Sequence, residues 1–385
     1  MKLRLEDHTI FVTLAGSQAH GTAREGSDVD LRGVAVAPLA TRLSLFGGFE
    51  QHEGPLPEAL ERRVRGRLTA HPTASRGLGV KTECVVYDVA KLAALAATAN
   101  PNALEILFAD ERDWVLETPA WRRLHAERRV FLTKQVAQTF LGYAMAQLRR
   151  IRTHRGWLLT PPAMRPSRED FGLPADRGAL SRDDLSRVEQ SVAARLKEYG
   201  TDDLEMPKAA RLAVRERMIA FQRDALSAED ADDEELEARV RAVATDAAGL
   251  PAEVVATLSA ERRYRAARKR WDAYEAWRRG RNPARAELER RFGYDTKHAM
   301  HLVRLMRMGI EALERGELRV RREDAEELAA IRDGALSFDA LLEEAERLRE
   351  RMARATEATA LPDRVDEARV DALVLSLTTA GALLR

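Results

Sequence analysis

Two aspartates one residue apart, Asp28 and Asp30, close a glycine-bearing stretch in "AGSQAHGTAREGSDVDLRGVAVAP", residues 15–38. On a strand, side chains alternate with period two, so both carboxylates would share one face. Their repulsion is relieved by cations, and hard oxygen donors of this kind, joined by triphosphate oxygens, suit Mg2+ or Mn2+. Two divalent ions held this way are the arrangement of two-metal phosphoryl transfer. Just upstream, Gly16 and Ser17, followed by Gly21 and Thr22, offer a turn in which glycine permits close approach and positive φ. Its backbone amides can then face a phosphate. Gly16, Ser17 and Thr22 are accordingly candidate nucleotide-binding residues. A polar hairpin would use the same residue types for its turn alone.

A third carboxylate is wanted to complete such a metal site. Glu83 in "KTECVVYDV" opens a third apolar run where its side chain can lie beside the aspartate pair. Asp88, where that run passes into a helical segment, is the reserve, with helix capping as its alternative role.

The elements that must position these groups follow from local pattern. "TIFVTLA" at 9–15 and "LRGVAVAP" at 31–38 are short β-branched runs ended by Gly16 and Pro38, and "KTECVVYDV" is a third strand. The stretch 48–80, rich in Gly, Pro and Arg and without a clean period, reads as a mobile loop between strands. From Ala90 onward Ala, Leu, Glu and Arg recur at helical spacing, broken at "NPN", "TPPAMRPS", "GLP" and "RNP". The expected fold is α+β: a catalytic α/β domain over 1–115 and a helical region over 116–385 that binds substrate or nucleotide.

Two polar stripes run along the helices. Tyr143, Gln147, Arg150 and His154 recur at four, three and four residues, as do Lys297, His301 and Arg304 on a second helix. An amphipathic helix exposes scattered charge, whereas a mixed Tyr/Gln/Arg/His stripe suits a nucleotide or RNA. The expectation is that Lys297, His301 and Arg304 lie on an exposed face and pair with phosphate. The basic block 261–291 interleaves Tyr264, Trp271, Tyr274 and Trp277 with arginines. It has two readings, a buried aromatic face at helical spacing or a grip on single-stranded RNA. The acidic run 228–239 suits a solvated helix start.

Composition sets the outer limits. Sixty-three Lys and Arg balance 62 Asp and Glu in 385 residues, so any polyanion site must be a local patch. The single Cys84 forms no internal disulfide, no His/Cys cluster has zinc spacing, and no apolar run has membrane-spanning length. The first residues lack the apolar core of a signal peptide, so a cytoplasmic location is expected.

"GSQAHGTAREGSDVD" resembles the G-S-x-x-x-G-T…S-D-x-D signature of nucleotidyltransferases of the DNA polymerase β superfamily. "LRG", "NPNALEILF", "LGYAMAQLRRIRTHRGWLLTPP", "FGLP" and "GYDTKHAMHLVRLMRMGIEAL" resemble the RlaP branch, which is associated with RNA repair. The resemblance implies a polymerase-β-type domain with Ser17 on the triphosphate, Asp28 and Asp30 holding two divalent metals, and Glu83 completing the triad. It also implies template-independent addition of ribonucleotides from nucleoside triphosphates to an RNA 3′ end, such as that of tRNA. Adenylylation of a small molecule or a protein is the alternative within the same superfamily.

Overall fold

The computed structural model describes residues 3–72, 74, 82–175 and 252–383. In chain order it begins with α1 (Leu5–His8), β1 (Thr9–Leu14), α2 (Gly16–His20), β2 (Val29–Ala35) and α3 (Leu39–Arg42). Next come β3 (Gln51–Gly54), α4 (Glu58–Ala70), β4 (Thr82–Asp88), α5 (Val89–Ala97) and α6 (Pro101–Leu107). Then follow β5 (Trp114–Glu117), α7 (Pro119–Ala126) and α8 (Gln135–Leu159). The later helices are α9 (Ala252–Gly280), α10 (Pro283–Phe292), α11 (Thr296–Arg315), α12 (Ala325–Arg332), α13 (Phe338–Ala358) and α14 (Glu367–Leu383). The chain divides into two units, Met1–Leu159 with Asn282–Arg385, and Thr160–Arg281.

The first unit is built on a five-stranded sheet in the order β3-β4-β2-β1-β5. β2 runs parallel to β4, and the other neighbours are antiparallel. Alternation along these strands sorts their residues onto two faces. Val12, Leu14, Val29, Leu31, Cys84 and Val86 join Leu60, Val64 and Leu68 of α4 in one apolar cluster. Phe11 and Val34 face the opposite way, into a larger cluster with α5, α6, α8, α11 and α13. The sheet is therefore covered on both sides, and Asp30, Arg32 and Glu83 fall on the second face by register.

Local signals explain the main helix boundaries. Asp88 caps α5 by accepting from the Ala90 amide at 3.0 Å, and Asn100 caps α6 ahead of Pro101. Asp295 caps α11 through the His298 amide at 3.1 Å, and Gly316 ends that helix at φ +62°.

The mixed α+β architecture and its three expected strands are present as β1, β2 and β4. The stretch 48–80 differs: it holds β3 and the thirteen-residue α4. Leu60, Val64 and Leu68 recur every four residues, and burying them covers an entire sheet face, which a loop would leave open. The region after Ala90 differs too, since β5 adds an edge strand whose Trp114, Val115 and Leu116 are buried.

In the second unit, Arg168 makes paired bonds of 3.0 and 2.8 Å to Glu261 of α9, and its guanidinium lies 5.4 Å from the Tyr264 ring centre. Trp271, Tyr274 and Trp277 continue along α9 with ring centres 5.8 and 5.9 Å apart, each half-buried. The basic block 261–291 is thus not one helix, because α9 ends at Gly280 and α10 starts at Pro283. The acidic run 228–239 lies outside the described residues. Among the described residues no helix is long and apolar enough to cross a membrane.

Candidate active site

Gly16 opens α2 directly after β1, and its φ of +57° is a conformation that glycine adopts at little cost. A Cβ at this position would lie 2.5 Å from Asp30 Oδ2, so the missing side chain is where the carboxylate rests. The Ala15 amide donates to the Asp30 carbonyl at 2.8 Å, fixing the entry of the turn to β2. The Thr22 amide donates to the Ser17 carbonyl at 2.9 Å, and Gly21 ends α2 with φ +76°. Ser17 is half-buried beside this site. Thr22 is buried, and its hydroxyl finds no hydrogen-bond partner among the described residues.

β2 and β4 bring the carboxylates together. Asp30 stands opposite Glu83 in the parallel register, so the two side chains share the face that Gly16 flanks. Asp28 lies one residue before β2 and is exposed, as is Glu83. Asp88 lies five positions further along β4, and its carboxylate is already engaged. It accepts from the Ala90 amide, from the Ala37 amide at 3.1 Å and from Arg42 at 2.7 Å. Asp28, Asp30 and Glu83 present only oxygen donors, and the Gly16 cradle leaves the Asp30 carboxylate room at the turn. That donor chemistry fits a hard divalent cation. Burial pushes the Cys84 thiol up to about 12, so the one cysteine of the chain supplies no thiolate beside these groups.

A cavity of about 150 Å3 adjoins Gly16, with Thr13, Arg32, Asn102, His301 and Arg304 among its lining residues. Here the stripe of α11 splits. Lys297 is exposed and His301 half-buried, while Arg304 is only 7% exposed. The expectation that Arg304 sits on an exposed face is therefore overturned. Its Nη1 lies 2.5 Å from Glu105 Oε1 and 2.9 Å from His20 Nε2, and His20 Nε2 lies 3.1 Å from Glu105 Oε2. A buried charge needs a partner of this kind. Burial alone would raise the Glu105 carboxyl, yet Arg304 and His20 hold it well below the usual range. Burial, then Arg304, lowers His20. Burial and then Arg304 also push His301 down to about 2, so a neutral imidazole faces the cavity at pH 7.

The Lys297 ammonium is lowered chiefly by desolvation and then by Arg285 and Arg332, while Asp28 and Asp295 pull it back up. Lys297 is therefore within electrostatic reach of Asp28. On α8, Tyr143 is 38% exposed and accepts from Asn100 at 2.9 Å, Gln147 is half-buried and Arg150 exposed. The next residue of that stripe, His154, meets Asp295 and His298. Residues far apart in sequence are joined here by the packing of α8 on α11, a grouping that zinc-type spacing along the chain does not reveal.

Sequence reasoning missed His20, Arg32, Asn102 and Glu105. His20 lies inside the Gly16–Thr22 turn segment, and Asn102 and Glu105 lie in "NPNALEILF", so position within those segments was the available signal.

Residues 4–157 match the model of a family described as RlaP, RNA repair pathway DNA polymerase beta family. No curated protein and no solved structure matches the chain. The matched span carries the whole five-stranded sheet, the Gly16–Ser17 turn and the three carboxylates, together with Tyr143, Gln147 and Arg150. Lys297, His301 and Arg304 lie beyond it. With its Gly-Ser turn set against an aspartate pair on a mixed sheet, the segment 4–157 is similar to the RlaP, RNA repair pathway DNA polymerase beta family.

Proposed function

We propose that the protein is a template-independent nucleotidyltransferase that adds ribonucleotides from nucleoside triphosphates to an RNA 3′-hydroxyl, in repair of RNA such as tRNA. The 3′ oxygen bonds to the α-phosphorus as the bond to the β-phosphate bridge breaks. Pyrophosphate leaves, and the hydroxyl proton passes to solvent. The observation that carries this reading is the Asp30–Glu83 pair on neighbouring parallel strands, with Asp28 two residues back and the side-chain-free Gly16 packed against the Asp30 carboxylate.

Mg2+ or Mn2+ held by Asp28, Asp30 and Glu83 would neutralise charge at the reacting phosphate. The turn at Gly16, Ser17 and Thr22 orients the triphosphate beside those carboxylates. Lys297, exposed and within electrostatic reach of Asp28, supplies a positive charge for phosphate oxygens. His301 offers a neutral hydrogen-bonding ring to sugar or base, and Arg304 holds the cavity wall in place. Tyr143, Gln147 and Arg150 give a second polar face for nucleotide or RNA. The carboxylates and the Gly16–Thr22 turn come from residues 1–115, and Tyr143, Gln147, Arg150, Lys297 and His301 from 116–385. Positioning and charge neutralisation suffice, without a protein nucleophile.

Matched RNAs ending in 3′-hydroxyl and 3′-phosphate, incubated with each labelled ribonucleoside triphosphate and Mg2+, test this reading. The hydroxyl end should be extended with release of pyrophosphate, the phosphate end should be inert, and EDTA should stop the reaction. Labelling of a protein or an aminoglycoside with no RNA extension would overturn it in favour of adenylylation.

A further inference from the structure

The packing of α8 against the start of α11 assembles a second group of ligating side chains. His154 Nδ1 lies 3.5 Å and His298 Nε2 lies 3.6 Å from Asp295 Oδ2, and one ligand atom from each residue lies within 4.8 Å of the others. A tetrahedral ion with bonds of about 2.0–2.1 Å has ligand-to-ligand edges of roughly 3.3 Å. The observed separations therefore need only small rotamer adjustments to close around one ion. Asp295 is fully buried, and its other oxygen is occupied in capping α11, so Oδ2 is oriented by the helix itself.

We propose that His154, Asp295 and His298 form a site for a borderline transition-metal cation of the Zn2+ class, separate from the carboxylate triad. Two imidazole nitrogens and one carboxylate oxygen suit Zn2+ or Co2+ and disfavour Mg2+, which takes oxygen ligands. Three protein ligands leave one tetrahedral position for water.

Arg285 of α10 bonds Asp295 Oδ2 and stands where a cation is wanted. Its side chain is 33% exposed and also lies 3.4 Å from Glu289 Oε1, so it has a carboxylate to turn to when a metal takes Oδ2. Metal and guanidinium thus compete for one oxygen. The site ties the first turn of α11 to α8, one residue from Lys297.

Chelator-treated full-length protein is titrated with Zn2+ by calorimetry and with Co2+ by visible absorption, and melting is followed with and without Zn2+. One equivalent should bind with a tetrahedral Co2+ spectrum and raise the Tm. His154→Ala and His298→Ala should each weaken Zn2+ by at least about tenfold. Arg285→Gln should tighten it, an outcome that misfolding does not mimic. Asp28→Asn combined with Asp30→Asn should leave Zn2+ binding intact, which separates this site from the carboxylate triad. Absence of a Zn2+ equivalent, unchanged affinity in both histidine variants, or weaker binding in Arg285→Gln would overturn the proposal.

Discussion

A Cβ added to Gly16 would lie 2.5 Å from Oδ2 of Asp30, so the turn and the carboxylate occupy one another's space. Glycine is required there twice over, because its φ is also +57°. Gly16→Ala should therefore displace Asp30 and add backbone strain of about 1–3 kcal/mol. Nucleotide transfer should fall by about 100-fold or more, the scale of losing a positioned electrostatic contact. Urea melts and the RNA extension assay read the two effects. A Gly16→Ala variant with parental transfer would show that the turn and Asp30 are not coupled in the reaction.

Asp28→Ala, Asp30→Ala and Glu83→Gln should each lower transfer by about 100-fold or more while the chain still folds, because the charge they supply acts on the reacting phosphate and not in packing. Asp88→Ala should do the reverse. It removes the α5 cap, worth about 1 kcal/mol, and leaves Arg42 without its partner at 2.7 Å. The folded fraction should still transfer nucleotide. Transfer lost in Asp88→Ala and kept in Glu83→Gln would exchange the two roles.

Lys297 and Arg304 lie on one helix and should respond differently. Arg304→Ala strips the cation from buried Glu105 and His20, and breaking such a buried pair costs about 3–5 kcal/mol. Lys297→Ala removes an exposed charge, so the fold should be kept while KM for the triphosphate rises roughly tenfold, the scale of one charge-assisted hydrogen bond. Added salt should narrow that KM difference. Chemical denaturation and steady-state kinetics of both variants decide the matter, and an unchanged melt in Arg304→Ala would refute the buried-anchor role.

How far the sequence reached depends on where each partner lies. β1, β2 and β4 were legible because β-branched runs ended by Gly or Pro carry their own signal, and the aspartate spacing came with β2. α4 was hidden because Leu60, Val64 and Leu68 stand among arginines and glutamates, with Gly66 inside the helix. β5 is four residues set between helices, and β3 is largely exposed, so neither shows apolar alternation that a local window can use. Arg304 looked like part of a solvated stripe because its partner Glu105 is 199 residues away. The same holds for His154 and Asp295, which meet only when α8 and α11 pack.

The pH response of stability follows from buried imidazoles. His20 and His301 are lowered by burial and then by Arg304, His125 is pushed down to about 4 by burial and then by Arg128, and His298 reaches about 4 by burial. An unfolded histidine titrates near 6.5. Between that value and about 4 the unfolded chain binds protons that the fold refuses, so stability rises with pH across this window. The contribution is complete above about 6.5 and is lost as pH falls through about 4 for His125 and His298. Glu105 and Asp295 are held low against their own burial, by Arg304 and His20 and by His154, His298 and Arg285 respectively. Their contribution has the same sign, present above the ordinary carboxylate range and lost at more acidic pH. A single fully offset group changes stability by up to about 1.4 kcal/mol per pH unit, so urea melts of metal-free protein should lose at least about 1 kcal/mol between pH 7 and 5. His301→Asn should shallow that slope. Equal stability at pH 7 and pH 5 would mean that these rings accept protons freely inside the fold, against the burial and the Arg304 charge that surround them.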